Sequence, residues 1–128
     1  MIAVDTSAIV AILRTEPEEH RIRGCLSDAR QSLISASSLL ELQIVLAGRV
    51  RSAWGEAERI LADYSIAIHP FDERQLHIAR EAAVKFGKGH HKATLNYGDC
   101  FAYALAKSEG LPLLCTGSDF KHTDLTLA

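Results

Sequence analysis

The feature that most limits what this chain can fold into is a set of short apolar runs with no polar alternation, each followed by a longer stretch with helical spacing. Ile2-Ala3-Val4, Leu33-Ile34, Ile66-Ala67-Ile68 and Leu113-Leu114-Cys115 are of this kind. A strand built on such a run buries both of its faces, which is the mark of a parallel sheet covered on two sides. Strands are therefore expected over residues 2–5, 32–35, 66–69 and 112–116, with helices between them. That alternation is an α/β pattern, a three-layer domain with a short parallel sheet and helices on both faces.

The punctuation between the runs supports helices at defined places. A first helix follows directly on Asp5, over residues 7–13. Thr15 with Glu18 reads as a capping box, and Pro17 suits a first turn. The helix they open carries Ile22, Cys25, Leu26 and Ala29 on one face and should end near Arg30. Ser37 and Ser38 precede a run from Leu39 to Leu46 that is apolar almost all round. A bend is expected over residues 48–55 and a further helix over about 54–64. Asp72, three residues ahead of Gln75, opens a helix with Leu76, Ala79, Ala83 and Phe86 on its apolar face, and Gly87 stops it. Asn96 and Gly98 open the last helix, and Gly110 closes it. Residues 125–127 are expected to add an edge strand.

With 128 residues and 48% apolar side chains, the chain has enough material for one core, so a single domain over residues 1–128 is expected. The apolar runs are too short to span a bilayer, and no basic segment precedes a long hydrophobic one. The expected location is the cytoplasm. Cys25, Cys100 and Cys115 are odd in number and sit among apolar neighbours, which fits core packing better than disulfides or zinc. The net charge of −2 excludes a protein that grips nucleic acid by a general basic excess.

Asp99 stands out because it lies in the first turn of the otherwise uncharged segment Leu95-Asn96-Tyr97-Gly98-Asp99-Cys100-Phe101-Ala102. Helix-dipole complementation, worth about 0.3–1 kcal/mol, accounts for one acid so placed. Three others share its kind of position. Asp5 ends the first strand, Glu41 enters the helix after the second, and Asp119 follows the fourth. Each has an ordinary use: Asp5 as a helix cap, Glu41 in a capping box with Ser38, Asp119 in a turn. The ligand-binding edge of a parallel α/β sheet is the rim beyond its strand carboxyl ends, and all four acids are expected to share it. Carboxylates crowded there persist only if protonated, paired with bases or bridged by cations.

Carboxylates without a His or Cys set select hard cations, Mg²⁺ or Mn²⁺, and these take phosphate oxygens as further ligands. The chemistry indicated is phosphodiester cleavage by a metal-activated water. The hydroxyls of Thr6, Ser7 and Thr116 are placed to orient carboxylates or water, or to serve the turns alone. Lys88, His90, His91 and Lys92 form a basic loop ahead of Leu95 that is either a solvated connector or an electrostatic lip at the site.

Val4-Asp5-Thr6-Ser7-Ala8, Ser35-Ala36-Ser37-Ser38-Leu39-Leu40-Glu41, Leu95-Asn96-Tyr97-Gly98-Asp99-Cys100 and Gly117-Ser118-Asp119-Phe120, with His122-Thr123-Asp124 behind, together resemble the PIN-domain ribonucleases. Within that family the chain is most similar to VapC-type toxins of bacterial toxin–antitoxin pairs, over nearly its whole length. The resemblance implies that Asp5, Glu41, Asp99 and Asp119 hold Mg²⁺ or Mn²⁺ and cut RNA, that a cognate antitoxin blocks the site, and that the protein is a homodimer. Related sequences often have Arg at the place of His90 and Pro at that of Lys92, so the loop departs from the pattern.

The alternative is a PIN domain that processes or binds RNA without an antitoxin. A receiver-like signalling domain fits poorly, because Asp5 is followed by Thr6 and Ser7 rather than a second acid, and the third strand ends at His69 and Pro70. A phosphatase of the haloacid-dehalogenase kind would need Asp at position 7. The apolar runs at residues 8–13 and 39–46 exceed what the sheet can cover, and the excess suits a dimer and an antitoxin segment.

Overall fold

A computed structural model of the chain describes residues 1–47, 51–87, 89 and 91–128. Four parallel strands, β1 (Ile2–Val4), β2 (Ser32–Ser35), β3 (Ile66–His69) and β4 (Leu113–Leu114), lie in the order β3-β2-β1-β4. Val4 stands beside Ile34 on one side and Leu114 on the other. Helices α1 (Thr6–Leu13) and α2 (Glu19–Asp28) connect β1 to β2, α3 (Ala36–Ala47) and α4 (Arg51–Asp63) connect β2 to β3, and α5 (Glu73–Phe86) and α6 (Tyr97–Glu109) connect β3 to β4.

The missing polar alternation has a direct cause. Ile2, Val4, Ile34 and Leu114 face a core shared with the first four helices, while Ala3, Leu33 and Leu113 face a second core built with α5 and α6. Val4, Ile34, Leu113 and Leu114 are completely enclosed, and full burial of such a side chain contributes about 1.5–3 kcal/mol. α6 is buried along most of its length, from Cys100 and Ala102 through Ala106, and Gly110 ends it in the left-handed conformation. No helix among the described residues is long and apolar enough to cross a membrane.

Several local expectations are corrected. The capping box of Thr15 and Glu18 does not form, because Thr15 is already spent on closing α1. It takes a left-handed φ of 52° while its N–H reaches Ile12 O and that of Glu16 reaches Ala11 O. α2 accordingly starts at Glu19, without a side-chain cap, and ends two residues before Arg30. α3 begins at Ala36, so Ser37 and Ser38 lie inside it rather than ahead of it, and the Ser37 N–H donates to Ser35 Oγ (3.3 Å). Ser38 is buried with its hydroxyl unpartnered, which removes the capping box with Glu41.

α4 starts at Arg51 and contains Gly55. The rest of the expected bend, residues 48–50, lies outside the described residues. β4 is only two residues long, and the C-terminal piece adds a single parallel bridge between Leu113 and Leu127 rather than a strand.

Candidate active site

β1 ends at Val4: the Asp5 N–H makes a last bond to the neighbouring strand at Leu114 O (2.9 Å), and Asp5 itself then opens α1. Asp5 caps α1, with Oδ2 accepting the Ser7 N–H at 3.1 Å, and only 5% of the residue is exposed. Ser7 Oγ in turn accepts the Thr116 N–H (3.0 Å), which ties the exit of β4 to the turn that carries Asp5. Ser7 and Thr116 thus serve the scaffold beneath Asp5.

The opposite wall is the first turn of α6. Asn96 Oδ1 accepts the Asp99 N–H at 2.9 Å, and Asp99 Oδ2 accepts the Asn96 N–H at 3.0 Å, a complete capping box. Asp5 and Asp99 therefore do serve as caps. A carboxylate has acceptor positions beyond the one a cap uses, so this use is compatible with binding an ion.

Glu41 comes from α3 and reaches the same turn of α6 at Gly98. The place of Gly98 near Asn96 suggests a turn residue. It is instead a buried residue within the helix, and an added Cβ there would collide with the Glu41 carboxylate. No spacing rule signals this contact, since it joins two helices more than fifty residues apart. Asp119, half-buried, lies in the turn after β4, where the Lys121 N–H bonds Ser118 O (3.2 Å).

Burial and acidic neighbours shift Asp5, Glu41 and Asp99. Asp5 is raised from its ordinary value by burial, against hydrogen bonds from Ser7 and Thr6 and with a further push from Asp119. Glu41 is raised by burial and then by Asp5, with the Thr6 hydroxyl opposing. Asp99 is pushed up to about 7 by burial, and by Asp5, Asp119 and Glu41, against the Asn96 hydrogen bond. All four thus share one electrostatic site. Among the described residues no three His, Cys, Asp or Glu side chains stand close enough together to hold a metal ion as they are placed.

The basic loop is less engaged. Lys88 and His90 lie outside the described residues. His91 packs edge-on against Phe86 (centroids 5.1 Å apart), and its Nδ1 accepts the Ala93 N–H (3.0 Å), so this ring is committed to the loop's own structure. Lys92 is exposed.

Two further anchors lack a sequence signal. Arg21 donates to Cys115 O (2.8 Å) and Ala128 O (3.0 Å). Tyr103 Oη and Lys107 Nζ donate to Asp124 at 2.6 and 2.7 Å, fixing the segment after Asp119 on α6. Although burial works against it, these two donors hold the Asp124 carboxyl below its ordinary range. Leu40, Ile44, Val45, Tyr97 and Phe101 line, together with Glu41, an apolar groove of about 290 Å³. Leu40, Ile44 and Val45 are exposed, and Tyr97 is 82% exposed.

The PIN domain family model matches residues 2–125. Ribonuclease VapC of Mycolicibacterium smegmatis is 44% identical over 123 residues, covering 95% of each chain. Ribonuclease VapC30 of Mycobacterium tuberculosis is 41% identical over 123 residues, covering 95% of this chain and 94% of that protein. Among solved structures, Mycobacterium tuberculosis VapC20, described as a toxin that cleaves the sarcin–ricin loop, has a TM-score of 0.79 at 17% identity, over 100% of this chain and 98% of that one. VapBC2 of Rickettsia felis, bound to a DNA fragment from its promoter, gives 0.78 at 18% identity, over 100% and 98%. Parallel sheet, helix order and near-complete overlap with these relatives agree: the chain belongs to the PIN-domain family, among the VapC proteins.

Proposed function

We propose that this protein is an endoribonuclease dependent on Mg²⁺ or Mn²⁺ and the toxin of a toxin–antitoxin pair, with Asp5, Glu41, Asp99 and Asp119 as the ion-holding set. The observation that carries the reading is the convergence of four carboxylates from the end of β1, α3, α6 and the turn after β4, three of them raised by burial and then by their acidic neighbours. The donor set is all oxygen, which fits hard cations rather than zinc. The relatives of known sequence similarity carry the name ribonuclease, which supports RNA as the substrate.

Bound there, the ion would supply Lewis-acid chemistry to phosphodiester hydrolysis, in which water adds across one P–O bond. The chain's part is to hold the carboxylates in place. Ser7 fixes Asp5, the capping box fixes Asp99, and Thr6 steadies Glu41. Thr116 acts through Ser7. Lys92 is the exposed cation of the candidate RNA-contact loop. The test is cleavage of RNA by partner-free protein: activity with Mg²⁺ or Mn²⁺ and none in EDTA is expected. Equal cleavage in EDTA overturns the metal-dependent reading.

The antitoxin and the second protomer are assigned to the exposed apolar surface. Leu40, Ile44 and Val45 are left exposed on α3, and an apolar face of this kind is what a protein partner covers. The solved relatives that include toxin–antitoxin complexes support an antitoxin as that partner. Light scattering should give a dimer for the free protein and a larger complex when it is expressed with the small protein encoded beside it. A monomer that acquires no partner counts against both.

A further inference from the structure

We infer that Gly98 is a positioning residue for Glu41: its missing side chain is the space in which the Glu41 carboxylate stands against the first turn of α6. The consequence for ion binding rests on the function proposed above, whereas the contact itself does not. An ideal Cβ at Gly98 would overlap Glu41 Oε2 and lie 2.7 Å from Oε1, closer than Cβ atoms are found. The other glycines within helices behave differently. A Cβ at Gly24 or Gly55 would meet nothing within 4 Å. Gly98 has no left-handed φ, so the backbone does not need glycine there and only the space does.

The helix cannot step aside to admit a methyl group. Asn96 and Asp99 lock the turn on either side of Gly98 by two reciprocal hydrogen bonds, and the helix behind it is buried from Ala102 to Ala106. Glu41 is the end of a flexible side chain on α3, so an alanine at position 98 evicts the carboxylate rather than the backbone. This gives the segment Asn96-Tyr97-Gly98-Asp99 one physical reading: a cap, a residue exposed at the mouth, an opening for an acid from another helix, and an acid of its own.

The experiment is a double-mutant cycle of Gly98→Ala and Glu41→Ala with two readouts. In EDTA, alanine is the better helix residue, so Gly98→Ala should raise Tm fully in the Glu41→Ala background and less in wild type, where it must displace Glu41. Equal shifts in the two backgrounds overturn the contact. With Mn²⁺ followed by calorimetry, Gly98→Ala should weaken affinity about tenfold or more, comparably to Glu41→Ala, and the double variant should bind no more than about twofold more weakly than Glu41→Ala alone. Unchanged Mn²⁺ affinity in Gly98→Ala, or two losses that multiply in full, overturns the positioning role. If wild type binds no Mn²⁺ while the EDTA cycle shows coupling, the metal reading fails and the assignment of Gly98 stands.

Discussion

Asp5→Asn and Asp99→Asn are each expected to lower metal-dependent RNA cleavage by about 10²–10³-fold, while leaving the metal-free protein at least as stable as wild type. The two halves of that expectation come from different atoms. Asparagine keeps a side-chain oxygen, so at position 5 it still accepts the Ser7 N–H as a helix cap, and at position 99 it still accepts the Asn96 N–H. What it loses is the negative charge, which at Asp5 is buried and faces Asp119, and at Asp99 faces the other three acids. Removing it relieves repulsion in the absence of a cation and removes a ligand in its presence. Thermal melts in EDTA and Mg²⁺ with a cleavage assay on the same samples check both halves. A variant that melts well below wild type in EDTA would return its acid to a purely structural role, and one that still cuts RNA at the wild-type rate would remove it from the chemistry.

The layers and the first three strands were legible because each rests on local pattern. Both-face burial of Ile2-Ala3-Val4 follows from the run itself, and Asn96 three residues ahead of Asp99 specifies its own cap. Two of the failures, at the starts of α2 and α3, share a cause, which is competition for one residue between two adjacent elements. Thr15 has the chemistry to open α2, but closing α1 takes it first, through a backbone conformation that sequence spacing does not encode. Ser35, at the end of β2, receives the Ser37 N–H, so α3 starts early and Ser38 is carried into the interior. Gly98 departs from expectation because a glycine near a helix start looks like turn chemistry, and only the tertiary placement of Glu41 gives its lack of a side chain a use.

The same acids set how stability depends on pH. With Asp99 pushed up to about 7 from 3.8 by burial and by its neighbours, and Asp5 and Glu41 raised as well, the folded state holds protons that the unfolded chain releases. A group raised in this way contributes stability that is complete below its unfolded value and lost as pH climbs through its folded value. Metal-free protein should therefore weaken between about pH 4 and 7. For Asp99 the loss should be about 1–2 kcal/mol, well below full linkage because solvent reaches this half-buried carboxyl. Excess Mg²⁺ should reverse the trend, since an ion binds the ionised carboxylates of the folded state and stabilises it more as pH rises. Urea unfolding at pH 5, 6, 7 and 8, in EDTA and in Mg²⁺, should give two curves that diverge with pH. Asp99→Asn isolates the cause from histidine titration, because its EDTA curve should lack the part of the slope that Asp99 supplies. A wild-type slope in EDTA identical to that of Asp99→Asn would mean that Asp99 carries no raised proton and that repulsion within the acid cluster is too weak to need a cation.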